Sequence, residues 1–204
     1  MVMLLLLVFA YPILSILIDN FSQSPENELY MAGTKTIAIN LKQLPLIDID
    51  TVTNGLEIVN NINLMIRTIN EAFRTDFPEL NVNDLTVVSN LQELVPFVDP
   101  YNDLIKSARN YDENNPETAK PLIMNCYMLG FNVIVLEGKI TYSIAFKTTG
   151  LINNLLKLGK LRGIVGDTLY SEFLSRIYWF IGDKLTNLPN DLKNIIEETL
   201  RRIS

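Results

Sequence analysis

The chain has no histidine and a single cysteine, Cys126, in 204 residues. Without histidine there is no Ser-His-Asp or Cys-His catalysis, no imidazole-bound zinc and no imidazole pH switch. One cysteine forbids an internal disulfide. Glutamine is scarce as well, with only Gln23, Gln43 and Gln92. Nine glycines and nine prolines are too few for a low-complexity linker. No P-loop and no G-x-G-x-x-G is present; Gly159, Gly163 and Gly166 are spaced otherwise. Gly159-x-x-x-Gly163 has the small-residue spacing of close helix packing.

What is abundant is isoleucine and leucine, 54 together, and asparagine, 22. Apolar residues make up 48% and charged residues 20%, which is the balance of a folded chain. This usage fits an AT-rich genome. Scarce His, Cys and Gln would also suit a hot-growing archaeon or one of its viruses, although the asparagines argue against strict thermal selection.

Residues 1–18, MVMLLLLVFAYPILSILI, carry no charged side chain. As a helix they rise about 27 Å, close to the hydrocarbon thickness of a bilayer. Leu4, Leu5, Leu6, Leu7, Val8, Phe9, Ile13, Leu14, Ile16, Leu17 and Ile18 would form the anchor. No Lys or Arg precedes them and no clean small-x-small cleavage site follows. An uncleaved signal anchor is the first reading. A cleaved signal peptide and a buried core segment are the others. The anchor reading predicts a membrane-anchored or secreted protein with its body outside the cytosol. Asn20-Phe21-Ser22 is a glycosylation sequon, set close to the membrane.

Residues 19–33 read as a polar stalk and 34–204 as one α+β domain, mostly helical. Ile37, Ile39 and Leu41 alternate with polar residues, so 34–44 is predicted as a half-buried strand. Leu56, Val59, Ile62, Ile66, Ile69 and Phe73 recur at steps of three and four, with Asn54 and Glu57 as a capping pair. That segment is predicted as a helix. Leu85 to Val88 could form a short strand. Asp99-Pro100 is a helix start, for a helix ending near Tyr111. Asn115-Pro116-Glu117 repeats the signal for a helix over 116–129, with Pro121 as the objection and a strand over Leu122 to Tyr127 as the alternative. Residues 131–146 alternate around Glu137-Gly138-Lys139 and are predicted as a β-hairpin, joined by one or two added strands. After Gly150 the chain reads as helical to its end, in segments opening near Thr149, Asp167 and Asn187-Leu188-Pro189.

Charge is split along the chain. Residues 1–146 are net −9 and residues 147–204 net +3. Lys147, Lys157, Lys160 and Arg162 fall in a stretch without acids, 147–166, the last three of them on a predicted amphipathic helix over 150–165. They are candidates for contact with a partner or an anionic membrane. A surface helix pairing with the acidic part is the plainer reading. The footprint is too sparse for nucleic acid. Asp48-x-Asp50 could offer two carboxylates to a hard cation, with no third ligand nearby; it reads as loop chemistry before a helix. Cys126 reads as a buried, inert thiol, and Trp179 as a core residue first and an interfacial aromatic second.

The sequence thus predicts a non-enzymatic structural or interaction protein at a membrane, such as an envelope, surface or virion component. No catalytic residue, cofactor or metal is indicated, and a protein partner is expected. A membrane-active protein using the 150–165 helix is the alternative. A histidine-free hydrolase using paired carboxylates is the third.

Overall fold

A computed structural model describes residues 25–48, 50–51, 54–81, 91–141, 144–184 and 190–204. Among these residues every regular element is helical and there is no strand. The α+β expectation is therefore corrected to an α-helical bundle. Among the described residues, no helix is long and apolar enough to cross a membrane. The predicted spanning segment 1–18 and the predicted strand Leu85 to Val88 lie outside the described residues.

Helix α1 spans Pro25–Leu41. Pro25 suits the first turn, where its missing N–H has no helical acceptor. Residues 34–41, expected as a strand, belong to this helix. Buried positions run Tyr30, Thr34, Ile37, Ala38 and Leu41, a stripe of helical period, while Ile39 is 54% exposed. The stripe begins inside the supposed stalk. An apparent alternation over 34–44 is only the second half of a longer helical pattern.

Helix α2 spans Gly55–Phe73. Asn54 caps it, its Oδ1 accepting the Leu56 N–H at 3.1 Å. The stripe Val59, Ile62, Ile66, Ile69 and Phe73 is buried, and Leu56 is half exposed. Arg74 ends the helix in the left-handed region, φ 53°. Residues 74–81 then turn back along the helix without regular structure.

Helix α3 spans Leu91–Asn110 and starts two turns before the expected Asp99-Pro100. Pro96 and Pro100 lie inside it. Pro96 is exposed and Pro100 half-buried, and each removes one N–H from the helical ladder. A 3-10 turn, Pro116–Thr118, is capped by Asn115 and leads into α4, Ala119–Thr141. Pro121 sits in the first turn of α4, where it breaks nothing.

The predicted hairpin 131–146 is also corrected. Phe131 to Thr141 continue α4, and Ile144–Lys160 begin α5. Phe131, Asn132, Val133 and Ile134 are all buried, on successive sides of the helix. A strand with one solvated face would have exposed alternate residues. An unbroken buried run instead marks a central helix enclosed on all sides. Helix α6 (Arg162–Val165), α7 (Asp167–Lys184) and α8 (Asn190–Ile203) complete the chain.

Helix α4 is the axis. Helices α1 and α3 pack on it from the N-terminal half, and α5 and α7 from the C-terminal half. Helix α2 packs chiefly on α1, and α8 on α5. One apolar core runs from Tyr30 to Leu200. Three glycines set the closest approaches. A Cβ at Gly33 would lie 2.8 Å from the Ala72 carbonyl oxygen, at Gly130 2.5 Å from the Phe77 ring, and at Gly159 2.7 Å from Ile203. The close-packing spacing Gly159-x-x-x-Gly163 is thus half used, because nothing lies within 4 Å at Gly163.

Candidate functional site

The most distinctive chemistry of the bundle is carboxamide chemistry. Asn63, only 4% exposed, accepts the Leu80 N–H at 2.7 Å and donates to the Leu80 carbonyl at 2.8 Å. Asn70 does the same for Phe77, at 2.9 and 2.8 Å, and also accepts from the Thr75 hydroxyl at 2.9 Å. Each side chain satisfies both backbone groups of one residue, as an amide can. Seven residues of α-helix rise about 10.5 Å and three residues of extended chain about 10 Å. Asn63 and Asn70 are seven apart; Leu80 and Phe77 are three apart. The spans match, so the two clamps hold residues 74–80 as a strap on α2.

A third clamp, Asn102 on α3, accepts the Ile47 N–H and donates to the Ile47 carbonyl, both at 2.8 Å. Beside it the Tyr101 hydroxyl donates to the Pro45 carbonyl at 3.0 Å. Burial pushes the Tyr101 phenol up to about 12. Arg109 reaches the Lys42 and Leu44 carbonyls at 3.1 and 2.9 Å, occupying acceptors at the end of α1. Asn125 links α4 to Ser107 of α3 at 2.7 Å. Asn63 and Asn70 break the apolar run of α2 without leaving its inner side. Their positions, flush with the Ile62–Ile66–Ile69 stripe, are the signal that marks them as core-side groups.

Under the strap lies an aromatic cluster. Phe77 meets Tyr127 and Phe131 edge-on, with centroids 5.6 and 5.5 Å apart. The Tyr30 and Tyr127 hydroxyls share a buried hydrogen bond of 2.9 Å. Burial holds the Tyr127 phenol well above its ordinary range. Cys126 is fully buried, and burial likewise pushes its thiol far up. This matches its expected inertness.

The sequence-predicted contacts scatter. The eleven anchor residues, Leu4 through Ile18, and the sequon at Asn20 lie outside the described residues, as does the side chain of Lys147. Lys157 is half-buried and Lys160 exposed. Arg162 bonds Asp167 at 2.6 Å and the Ser204 carbonyl at 3.1 Å, and lies 6.0 Å from the Tyr170 ring centroid. Its partners thus come from the basic end of the chain, not from the acidic part. The apolar side of α5, Leu151, Leu155 and Leu158, is buried. Asp48 and Asp50 are exposed; the Asp48 carboxylate accepts the Asp50 N–H at 3.2 Å and so forms a turn. Among the described residues no group of three or more metal-binding side chains converges.

Two surface features remain. A half-open groove of about 390 Å³ lies between the start of α1 and the start of α4, floored by Met31, Ala119, Ile123 and Ile164 and rimmed by Glu28 and Lys120. Trp179, read from sequence as core, is 76% exposed on α7, beside the part-exposed Tyr178. Among the described side chains of α7 the buried ones are Tyr170, Phe173, Leu174 and Ile177, and Trp179 points away from that stripe.

No family model matches the chain, and no solved structure matches it. It is 22% identical over 159 residues to an uncharacterised protein of the archaeon Methanocaldococcus jannaschii. The alignment covers 72% of this chain and 65% of the relative, so the chain spans just under two thirds of that protein's length. What can be said of kinship is that the chain is similar to an archaeal protein.

Proposed function

We propose that this is a non-enzymatic structural or interaction protein, held at a membrane through its apolar N-terminal segment with the helical body presented outward. An envelope, surface or virion component is the class that fits. The observation that carries the reading is the uncharged run 1–18, followed directly by acidic residues from Asp19 onward. A segment of that length and composition partitions from water into lipid. The exposed Trp179 supports a body that meets a partner, since large aromatics are favoured where contacts form. Buried carboxamides spent on backbone clamps fit a scaffold.

The test is fractionation of the full chain. Expected is recovery in the membrane pellet after an alkaline carbonate wash. Recovery of the full-length native protein in the soluble cytosolic fraction would sink the proposal. The membrane-active alternative has α5 to rely on. Its Leu151, Leu155 and Leu158 are already used inside the bundle, which counts against it. Dye leakage from anionic vesicles, lost when Lys157 and Lys160 are both changed to Glu, would revive it.

A further inference from the structure

The N- and C-terminal halves of the bundle meet along α4, and the strap also touches α5. The Asn154 Oδ1 accepts the Asp76 N–H at 2.9 Å, across 78 residues of sequence. A Cβ at Gly150, one turn earlier on α5, would lie 3.3 Å from the Asp76 carbonyl oxygen. Glycine there lets the strap backbone lie against the helix. Asn154 is wholly buried, and its Nδ2 finds no hydrogen-bond acceptor among the described residues. Turning the amide over would remove the bond to Asp76, so the orphan donor belongs to the closed arrangement. A buried donor without a partner destabilises that arrangement relative to one in which water reaches it.

Asn154 also lies within an apolar stripe. Leu151, Leu155 and Leu158 flank it on the same side of α5, and all are buried. On its other edge the strap is far better held, by four clamp bonds to α2 and by the buried side chains of Phe77 and Leu80. The strap therefore stays with the N-terminal half, and its contact with α5 is the weak seam.

We propose that Asp76, Asn154 and Gly150 form a latch between the two halves, whose release hydrates Asn154 and frees the strap from α5 while the N-terminal half stays folded. The latch is a local opening drawn from the low-stability end of the structure.

Amide hydrogen exchange on the full chain tests this, with two variants that weaken the seam differently. Asn154→Ala removes the acceptor; Gly150→Ala crowds the strap backbone. In both, exchange at Asp76 and across 151–158 is expected to accelerate about fivefold, the effect of one hydrogen bond. Exchange in the Ile62–Ile69 stretch of α2 should stay unchanged. Equal acceleration of α2 and α5 in either variant would mean global loosening and would overturn the latch. So would unchanged exchange at Asp76 and 151–158 in both variants. A third substitution, Asn154→Leu, removes the same amide as Asn154→Ala but keeps its volume. It is expected to speed exchange at Asp76 as Asn154→Ala does; protection at Asp76 equal to the parent's would also overturn the latch.

Discussion

Asn63 serves Leu80 with both ends of its amide, and that dual use makes its replacements informative. Asn63→Ala leaves the buried Leu80 N–H and carbonyl without partners. Each unsatisfied group costs about 1–3 kcal/mol, so a loss of about 3 kcal/mol is expected in urea unfolding. Asn63→Asp should be no better. A carboxylate can still accept from Leu80 N–H, but it meets the Leu80 carbonyl as a second acceptor. If Asn63→Asp proved as stable as the parent, the two-sided clamp would be wrong. Cys126 gives a second test at this scale. It is the sole thiol of the chain and fully buried, with its ionisation pushed up by burial. A thiol reagent should label it only as fast as the protein opens, with rapid full labelling in denaturant. Rapid labelling of the native protein would contradict the packing around it.

Among the elements, Gly130 and Gly159 carry the sharpest expectations. A methyl group at 130 would meet the Phe77 ring, which is already wedged between Tyr127 and Phe131. Gly130→Ala should lower stability by about 1–3 kcal/mol as an overpacking change. Gly159→Ala presses on Ile203 and should loosen α8 from α5, read as faster proteolysis of the C-terminus. The helical stripe of α2 and its Asn54 cap were legible in the sequence because a long amphipathic pattern with a cap overdetermines a helix. Two elements were not. The strand reading of 34–44 took in only part of α1, since Tyr30 and the first turns had been set aside as stalk. The hairpin reading of 131–146 treated an all-round apolar run as alternation, and β-branched residues such as Val133 reinforced it. Burial on every side is a tertiary fact that local propensity does not encode. The candidate site was less legible still. An asparagine beside a core stripe looks the same in sequence whether it faces water or grips a passing backbone.

For the whole molecule, the buried phenols set the response to alkali. Burial raises Tyr101 and Tyr170 to about 12 and holds Tyr127 well above its ordinary value. The native state therefore keeps these protons above pH 10, where the unfolded chain gives them up. Their stabilising contribution is complete below about pH 10 and is lost as pH rises from about 10 to about 12. Helical circular dichroism followed against pH should fall in that window. With no histidine, no imidazole step is expected between pH 6 and 7. A major transition near neutrality would need another cause. Trp179, the only tryptophan, reports on the exposed face of α7. Its fluorescence should be readily quenched by acrylamide in the isolated protein and shielded once a partner covers that face.

The strap on α2 bears on how the chain avoids self-association. A lone extended segment normally offers a row of free backbone groups, and such rows recruit other chains. Here Asn63 and Asn70 stand where a neighbouring strand's peptide groups would stand, at a repeat that fits an extended backbone. The helix thereby acts as the edge of a sheet that was never built. Extended chain can be added to such a helix at intervals of seven residues with its hydrogen bonds met at each contact.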